Sequence, residues 1–153
     1  VINFFPLFLI LSNSVISVRL IRPLFVENTK YLFSSFSAFT INVDVILQSV
    51  GRDGTKDISF TTSENNAEEA VKVLSEMFDC KIMCDTDIAK VSVVGAGMES
   101  HPGTAAKMFE ALYGIDVNIQ MISTSEIKIS VLIDAKYADN AVTAIHEAFI
   151  NYI

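Results

Sequence analysis

The stretch Ser92-Val93-Val94-Gly95-Ala96-Gly97-Met98-Glu99-Ser100-His101-Pro102-Gly103 is where this chain could do chemistry. An apolar strand pattern ends in glycines, and Pro102 suits the first position of a helix, where its fixed φ fits and its missing N–H costs nothing. Free N–H groups and the helix dipole at such a start favour an anion, a carboxylate for example. Glycine lets the backbone come close to it. Gly95-x-Gly97 suggests a dinucleotide loop, but Ser100 stands where the third glycine should be and no long parallel-sheet pattern surrounds it. A P-loop sequence is absent. Further on, Asn118, Gln120, Ser123, Thr124, Ser125 and Glu126 gather on a hairpin pattern. Two readings stay open for them. They form an exposed strand edge and turn, or they form a polar rim for a small zwitterion. In the second reading loop amides take its carboxylate, and Glu126 or a side-chain carbonyl takes its ammonium.

No other residues assemble a reaction centre. Cys80 and Cys84 are the only cysteines. With Ile82 they alternate on one face of a strand pattern, so they read as core, where a thiol behaves as a small hydrophobe, rather than as a metal or redox pair. His101 and His146 have no ligand spacing to the cysteines. A reduced, cytoplasmic setting fits that usage. Neither a Ser/His/Asp arrangement nor a metal cluster is present. The formal charge of -7 and pI near 4.7 argue against nucleic acid, which needs a cationic face. Val1 to Leu11 is nearly all apolar, but it contains Pro6 and falls short of the roughly 20 residues that span a bilayer. It also lacks the positive charge that precedes a secretory signal's apolar run.

The elements that must position the loop occur twice. Ile41-Asn42-Val43-Asp44-Val45-Ile46 is echoed 76 residues later by Val117-Asn118-Ile119-Gln120-Met121-Ile122. Asp57-Ile58-Ser59-Phe60 and the helical pattern Ala67, Ala70, Val71, Leu74, Glu76, Phe78 return 71 residues later, at Lys128-Ile129-Ser130-Val131 and at Ala138, Ala141, Val142, Ile145, Glu147, Phe149. The difference in offset falls at the Gly51–Thr55 turn. Repeats come before any other reading of a fold. Here the unit is strand, strand, helix. Leu32, Phe33 and Phe36 have helical spacing. Val43–Ser49 and Lys56–Thr62 read as a hairpin. Asn66 with Glu69 resembles a capping box, before a helix whose buried face carries Ala67, Ala70, Val71, Leu74, Met77 and Phe78. Lys81–Asp85 and Lys90–Val94 read as separate short strands. A helix burying Ala105, Met108, Phe109 and Leu112 follows, then strands over 118–122 and 127–133 and a last helix over 138–149. The order β-α-β-β-α is a ferredoxin-like unit lacking its final strand, and Ile150–Ile153 is too short to supply it. An upstream segment or a partner chain must.

The strings Val94-Gly95-Ala96-Gly97-Met98 with Ser100-His101-Pro102-Gly103, and Ile122-Ser123-Thr124-Ser125-Glu126-Ile127-Lys128-Ile129-Ser130-Val131-Leu132, resemble the regulatory tail of aspartate kinase. That tail is a tandem of ACT domains, α+β amino-acid sensors of the βαββαβ ferredoxin-like type. Asn42-Val43-Asp44 through Gln48 and Asp57–Thr61 resemble its first ACT unit, and the similarity runs from about Leu32 to Phe149. The resemblance implies a first unit over 31–85, atypical or truncated at its N-terminus, and a second over 86–153. It implies a parent enzyme that phosphorylates the β-carboxylate of aspartate with ATP, on the route to lysine, threonine and methionine. Lysine or threonine would bind the tail and inhibit. Carried over by position, the effector contacts are Met98, Ser100, His101 and Gly103 from the loop, Asn118, Ile119, Gln120, Ser125 and Glu126 from the hairpin, and Gln48 and Asn42 in the first unit. ATP and Mg²⁺ would belong to a kinase domain that has no counterpart here, so the chain is not expected to be active alone. The expected partners are the amino-acid effector, further ACT units in a dimer, and a separate kinase-containing chain, with no nucleic acid or membrane.

Residues 1–30 match neither the repeat nor the family, and the chain begins with Val. A fragment, an alternative start or a stretch foreign to the parent protein would each look so. In the family one ACT unit is often inserted in the other. Residues 1–30 then owe two strands, for which Phe4–Leu11 and Val15–Ile21 are the candidates. The mirror of Pro102-Gly103 would fall near Val26-Glu27 and is missing, so the first unit is expected to lack an effector loop. The alternatives are a stand-alone dimerisation or sensor protein and a non-functional fragment without a ligand.

Overall fold

A computed structural model of the chain describes residues 8–22, 26–50, 56–79, 81–95 and 103–150. Its elements are β1 (Phe8–Arg22), α1 (Val26–Ala38), β2 (Val43–Val50), β3 (Lys56–Thr62), α2 (Glu64–Met77), β4 (Lys81–Val94), α3 (Thr104–Gly114), β5 (Met121–Thr124), β6 (Lys128–Asp134) and α4 (Ala138–Ile150), with a 3₁₀ turn over Ala135–Tyr137 before α4. Two compact units form, Ser14–Thr86 and the pair of segments Val1–Asn13 with Asp87–Ile153. The expected turn at Gly51–Thr55 and the residue Cys80 lie outside the described residues. Among the described residues no helix is long and apolar enough to cross a membrane.

The Ser14–Thr86 unit has the ferredoxin-like chain order βαββαβ, with strands neighbouring as β2-β3-β1-β4; the other runs β4-α3-β5-β6-α4 with its completing strand taken from β1, and its strands neighbour as β1-β4-β6-β5. β1 and β4 each contribute a segment to both units. The strands that the sequence sought in two runs before residue 22 are one continuous strand, Phe8–Arg22. Its second half pairs antiparallel with β3, from Ile16 opposite Thr62 to Arg22 opposite Lys56. Likewise, 81–85 and 90–94 are not separate: β4 runs unbroken from Lys81 to Val94.

The two cores repeat at eight positions, and only Val73 has a counterpart, Ala144, that is less than buried. In the 14–86 unit Leu32, Phe36, Ile41, Ile58, Phe60, Ala67, Ala70, Val73 and Leu74 are buried. In the other, Met108, Leu112, Val117, Ile129, Val131, Ala138, Ala141 and Ile145 occupy the equivalent places, beside Ala89, Val91, Val93, Ile133 and Phe149. Burial of each large side chain contributes about 1.5–3 kcal/mol. Phe36 meets Phe60 edge-on at 5.0 Å between ring centroids, a further gain of about 1 kcal/mol. The buried face of α2 differs from expectation: Val73 is inside, Val71 and the following Phe78 are only partly buried, and Met77, in the last turn, is 45% exposed. The capping box is also replaced. Ser63 is the N-cap, and its carbonyl accepts the Asn66 N–H at 3.0 Å, so Asn66 lies in the first turn. Glu64 opens that turn, where the dipole favours its charge.

Two local devices fix the strands. Between Val43 and Ile46 the β2–β3 register shifts. There the Val45 N–H donates to Thr61 Oγ1 at 3.0 Å, and Thr62 Oγ1 donates to the Asn42 carbonyl at 2.7 Å, so side-chain hydroxyls replace the missing ladder bonds. In β4 and β6, Ser92 stands opposite Ser130, and their buried hydroxyls bond at 2.8 Å. Each satisfies the other, which avoids a penalty of about 1–3 kcal/mol for an orphaned buried group.

The helix ends repeat as well. Thr40 and Asp116 both sit at positive φ, 56° and 55°. After α1 the Ile41 N–H reaches the Phe36 carbonyl, and after α3 the Val117 N–H reaches that of Leu112. This is the Schellman ending without its usual glycine. A β-branched residue is strained there. Thr40→Gly is therefore expected to stabilise the protein by about 1 kcal/mol, seen as a Tm a few degrees higher in thermal unfolding. Asp116→Gly should gain less, because Asp tolerates the left-handed region better.

Candidate functional site

The strand-to-helix loop begins where β4 ends. The Gly95 N–H donates to the Ile127 carbonyl at 2.9 Å, and this bond ties the loop's start to the β5–β6 turn. In that turn the Ser125 N–H donates to the Lys128 carbonyl at 2.7 Å, and Ser125 Oγ reaches the same oxygen at 3.4 Å. Ser125 and Glu126 are exposed, with neighbouring Ile127 exposed beside them. At the loop's far end Gly103 caps α3 with φ 102° and ψ −10°, and its carbonyl accepts the Lys107 N–H at 2.9 Å. The helix thus begins at Thr104, and the first helical position expected for Pro102 falls there. Pro102, Met98, Ser100 and His101 lie outside the described residues.

The hairpin residues divide between its two ends. Ser125 and Glu126 share the end where Gly95 is anchored. Gln120 lies at the other end: its N–H donates to the Leu132 carbonyl at 2.8 Å, and its Nε2 to Asp134 Oδ1 at 2.6 Å. From Gln120 to Ser125 is about 16 Å at about 3.3 Å per residue. Asn118 is exposed on the approach to β5, and Ile119 turns inward, packed against the core. Asn42 and Gln48 belong to the Ser14–Thr86 unit, are exposed, and stand before and near the end of β2. A single unit therefore brings together Gly95, Ser125 and Glu126 and keeps Gln120 and Asn118 apart from them. The Ser14–Thr86 unit has no loop of this kind, since only residues 23–25 separate β1 from α1, against 95–103 between β4 and α3.

Sequence reasoning overlooked Asp134 and Lys107. Asp134 was findable as the residue opposite the start of β5 once the register was known. Lys107, in the first turn of α3, lays its Nζ 5.3 Å from the Phe149 ring centroid, a cation–π contact between α3 and α4. The reading of Cys84 as core is overturned: it is exposed, because β4 enters its buried stretch only at Ile88. Its thiol is nonetheless partly shielded, and that shielding, then the negative charge of Asp85, pushes its pKa upward. No group of metal-ligating side chains occurs among the described residues.

The ACT domain family profile matches residues 91–149, from β4 to the last turn of α4. The regulatory subunit of aspartate kinase from Thermus thermophilus superposes with a TM-score of 0.83 at 37% identity, covering 92% of this chain and 96% of that one. The chain belongs to the aspartate kinase family, as its ACT-domain regulatory part. Aspartate kinase from Synechocystis superposes with a TM-score of 0.81 at 33% identity, over 92% of this chain and 26% of that one. Aspartate kinase Ask_LysC of Stutzerimonas stutzeri is 49% identical over 122 residues, 77% of this chain. The chain spans 30% of the length of that curated relative, and the same share of the aspartokinase of Helicobacter pylori. The superposition on the Thermus subunit covers 92% of the chain, more than the stretch from Leu32 to Phe149 in which the sequence resemblance lies.

Two measurements check the site's construction. Gly103→Ala meets no atom within 4 Å, so its cost is backbone strain alone. It should destabilise the chain by about 1–2 kcal/mol in denaturant titration, with a later start to α3 protection in hydrogen exchange. Cys84 should alkylate with iodoacetamide more slowly at pH 7 than a free thiol does. Its rate should still be rising with pH where a free cysteine has levelled off, followed by mass spectrometry of the Cys84 peptide.

Proposed function

We propose that this chain senses lysine or threonine for an aspartate kinase and inhibits the kinase when the amino acid is bound. The observation that carries the reading is the bond from the Gly95 N–H to the Ile127 carbonyl. It holds Gly95, where the chain leaves β4 on its way to α3, beside the turn that carries Ser125 and Glu126; a helix N-terminus favours a carboxylate, and the turn offers groups able to take an ammonium. An amino acid is too short to touch both ends of one hairpin. The ligand therefore lies between paired units, with the loop and turn of one and the Asn118–Gln120 end of another. Antiparallel pairing along the open edge of β5, where Ile122 is exposed, would bring those ends together. The partner is a second copy of this unit, in a dimer.

The kinase reaction itself, transfer of the γ-phosphoryl of ATP to aspartate with Mg²⁺, belongs to the catalytic portion of the family. A solved structure similar to this chain at 38% identity and a TM-score of 0.83 is described as aspartokinase alpha and beta subunits. A catalytic subunit is the corresponding partner here, in the cytoplasm. Inhibition is then a shift between two arrangements of paired units, driven by the difference in amino-acid affinity between them.

Calorimetry on the folded chain should show heat with lysine or with threonine, and Ser125→Ala and Glu126→Ala should each weaken it. Silence with both amino acids would end the sensor reading. An unchanged response in both variants, together with a dimer split by charged substitutions in β5, would favour a purely structural assembly unit. The chain alone should not phosphorylate aspartate with ATP.

A further inference from the structure

We infer that Asp134 is a positioning residue that fixes Gln120 as a hydrogen-bond acceptor and so sets which end of an amino acid this site accepts; the inference rests on the effector reading above. Gln120 is anchored to β6 twice, by its main-chain N–H on the Leu132 carbonyl at 2.8 Å and by Nε2 on Asp134 Oδ1 at 2.6 Å. Asp134 is itself held. It ends β6 at the entry to the 3₁₀ turn, its Oδ2 lies 3.8 Å from Lys136 Nζ, and Lys136 stands 4.7 Å over the Tyr137 ring.

A glutamine amide can present either its carbonyl or its NH₂, and a carboxylate can only accept. With Asp134 beside it, the NH₂ end must face the carboxylate. Turning the amide over would set two oxygens against each other and lose a charge-assisted bond. Oε1 is then directed away from Asp134, and it has no partner among the described residues. An ambivalent side chain becomes a fixed acceptor. The chemistry it suits is an ammonium group, while a carboxylate placed there would be repelled. Lys136 Nζ faces the other carboxylate oxygen at 3.8 Å, which leaves Oδ1 to Gln120. At this end of the hairpin Gln120 therefore offers an acceptor, and the carboxylate of the ligand is left to the paired unit.

The test uses the ¹⁵N-labelled full chain with lysine and threonine as probes. In the wild type one Gln120 side-chain amide proton should be shifted downfield, and Asp134→Ala should return it to the position of a solvated glutamine. By calorimetry Asp134→Ala should weaken amino-acid binding about threefold to tenfold. In a Gln120→Ala background the same substitution should change affinity by less than about twofold, because its effect passes through Gln120. Equal weakening in both backgrounds, or an unshifted amide in a chain that binds amino acid, would overturn the inference alone. A wild type that takes up neither amino acid would remove the effector reading, and this inference with it.

Discussion

The register of β4 against β6 is the constraint on which the site depends. Seven pairs, from Ile88 opposite Asp134 to Val94 opposite Lys128, hold it. A slip of one residue would exchange the faces of the strand. Ala89, Val91 and Val93 would leave the helix-covered core, and Ser92 would enter it and part from Ser130. The serine pair thus acts as a lock: only one alignment lets both buried hydroxyls find a partner. The same alignment delivers Gly95 to Ile127, while Asp134 comes within reach of Gln120 through the separate pairing of β6 with β5.

The two units share a core and differ in what they carry. Equivalent positions, such as Ala70 with Ala141 and Leu74 with Ile145, are all fully buried. Even the left-handed residues that end α1 and α3 coincide. What differs is the connection into the first helix, three residues in one unit and nine in the other. Packing is thus conserved between the halves where burial pays, and the surface loop has been free to diverge. The Ser14–Thr86 unit keeps the same scaffold with a shorter connection in place of the loop.

Much of this was legible in the sequence because periodicity reports burial. The echo of Asp57–Phe60 by Lys128–Val131 located both central strands, and the Ala-x-x-Ala spacing located both second helices. Ends and long-range partners were not legible. Pro102 pointed to a helix start that Gly103 in fact supplies, since a left-handed turn there sets the chain's direction. Asn66 with Glu69 mimicked a cap that the Ser63 carbonyl provides. Alternation suggested that Cys84 is inside, but alternation gives the face of a strand and not whether anything covers it. β1 was missed as one strand because its two halves answer to different partners, and no local pattern records a pairing made seventy residues away. The site residues were nameable one by one, yet their separation along the hairpin appears only once strands have length and direction.

That divided β1 has a consequence for how the polypeptide matures. Synthesis delivers residues 8–13 before any other strand of their own unit, which begins at Asp87. The intervening unit, Ser14–Thr86, has all its parts in one continuous run and can close first, at the low cost of short-range contacts. The waiting segment is covalently continuous with a strand of that finished unit, so its search for a late-arriving neighbour starts from a tethered position. The emerging order is inside first, outside second, with the ribosome rather than stability choosing which half of the molecule appears before the other.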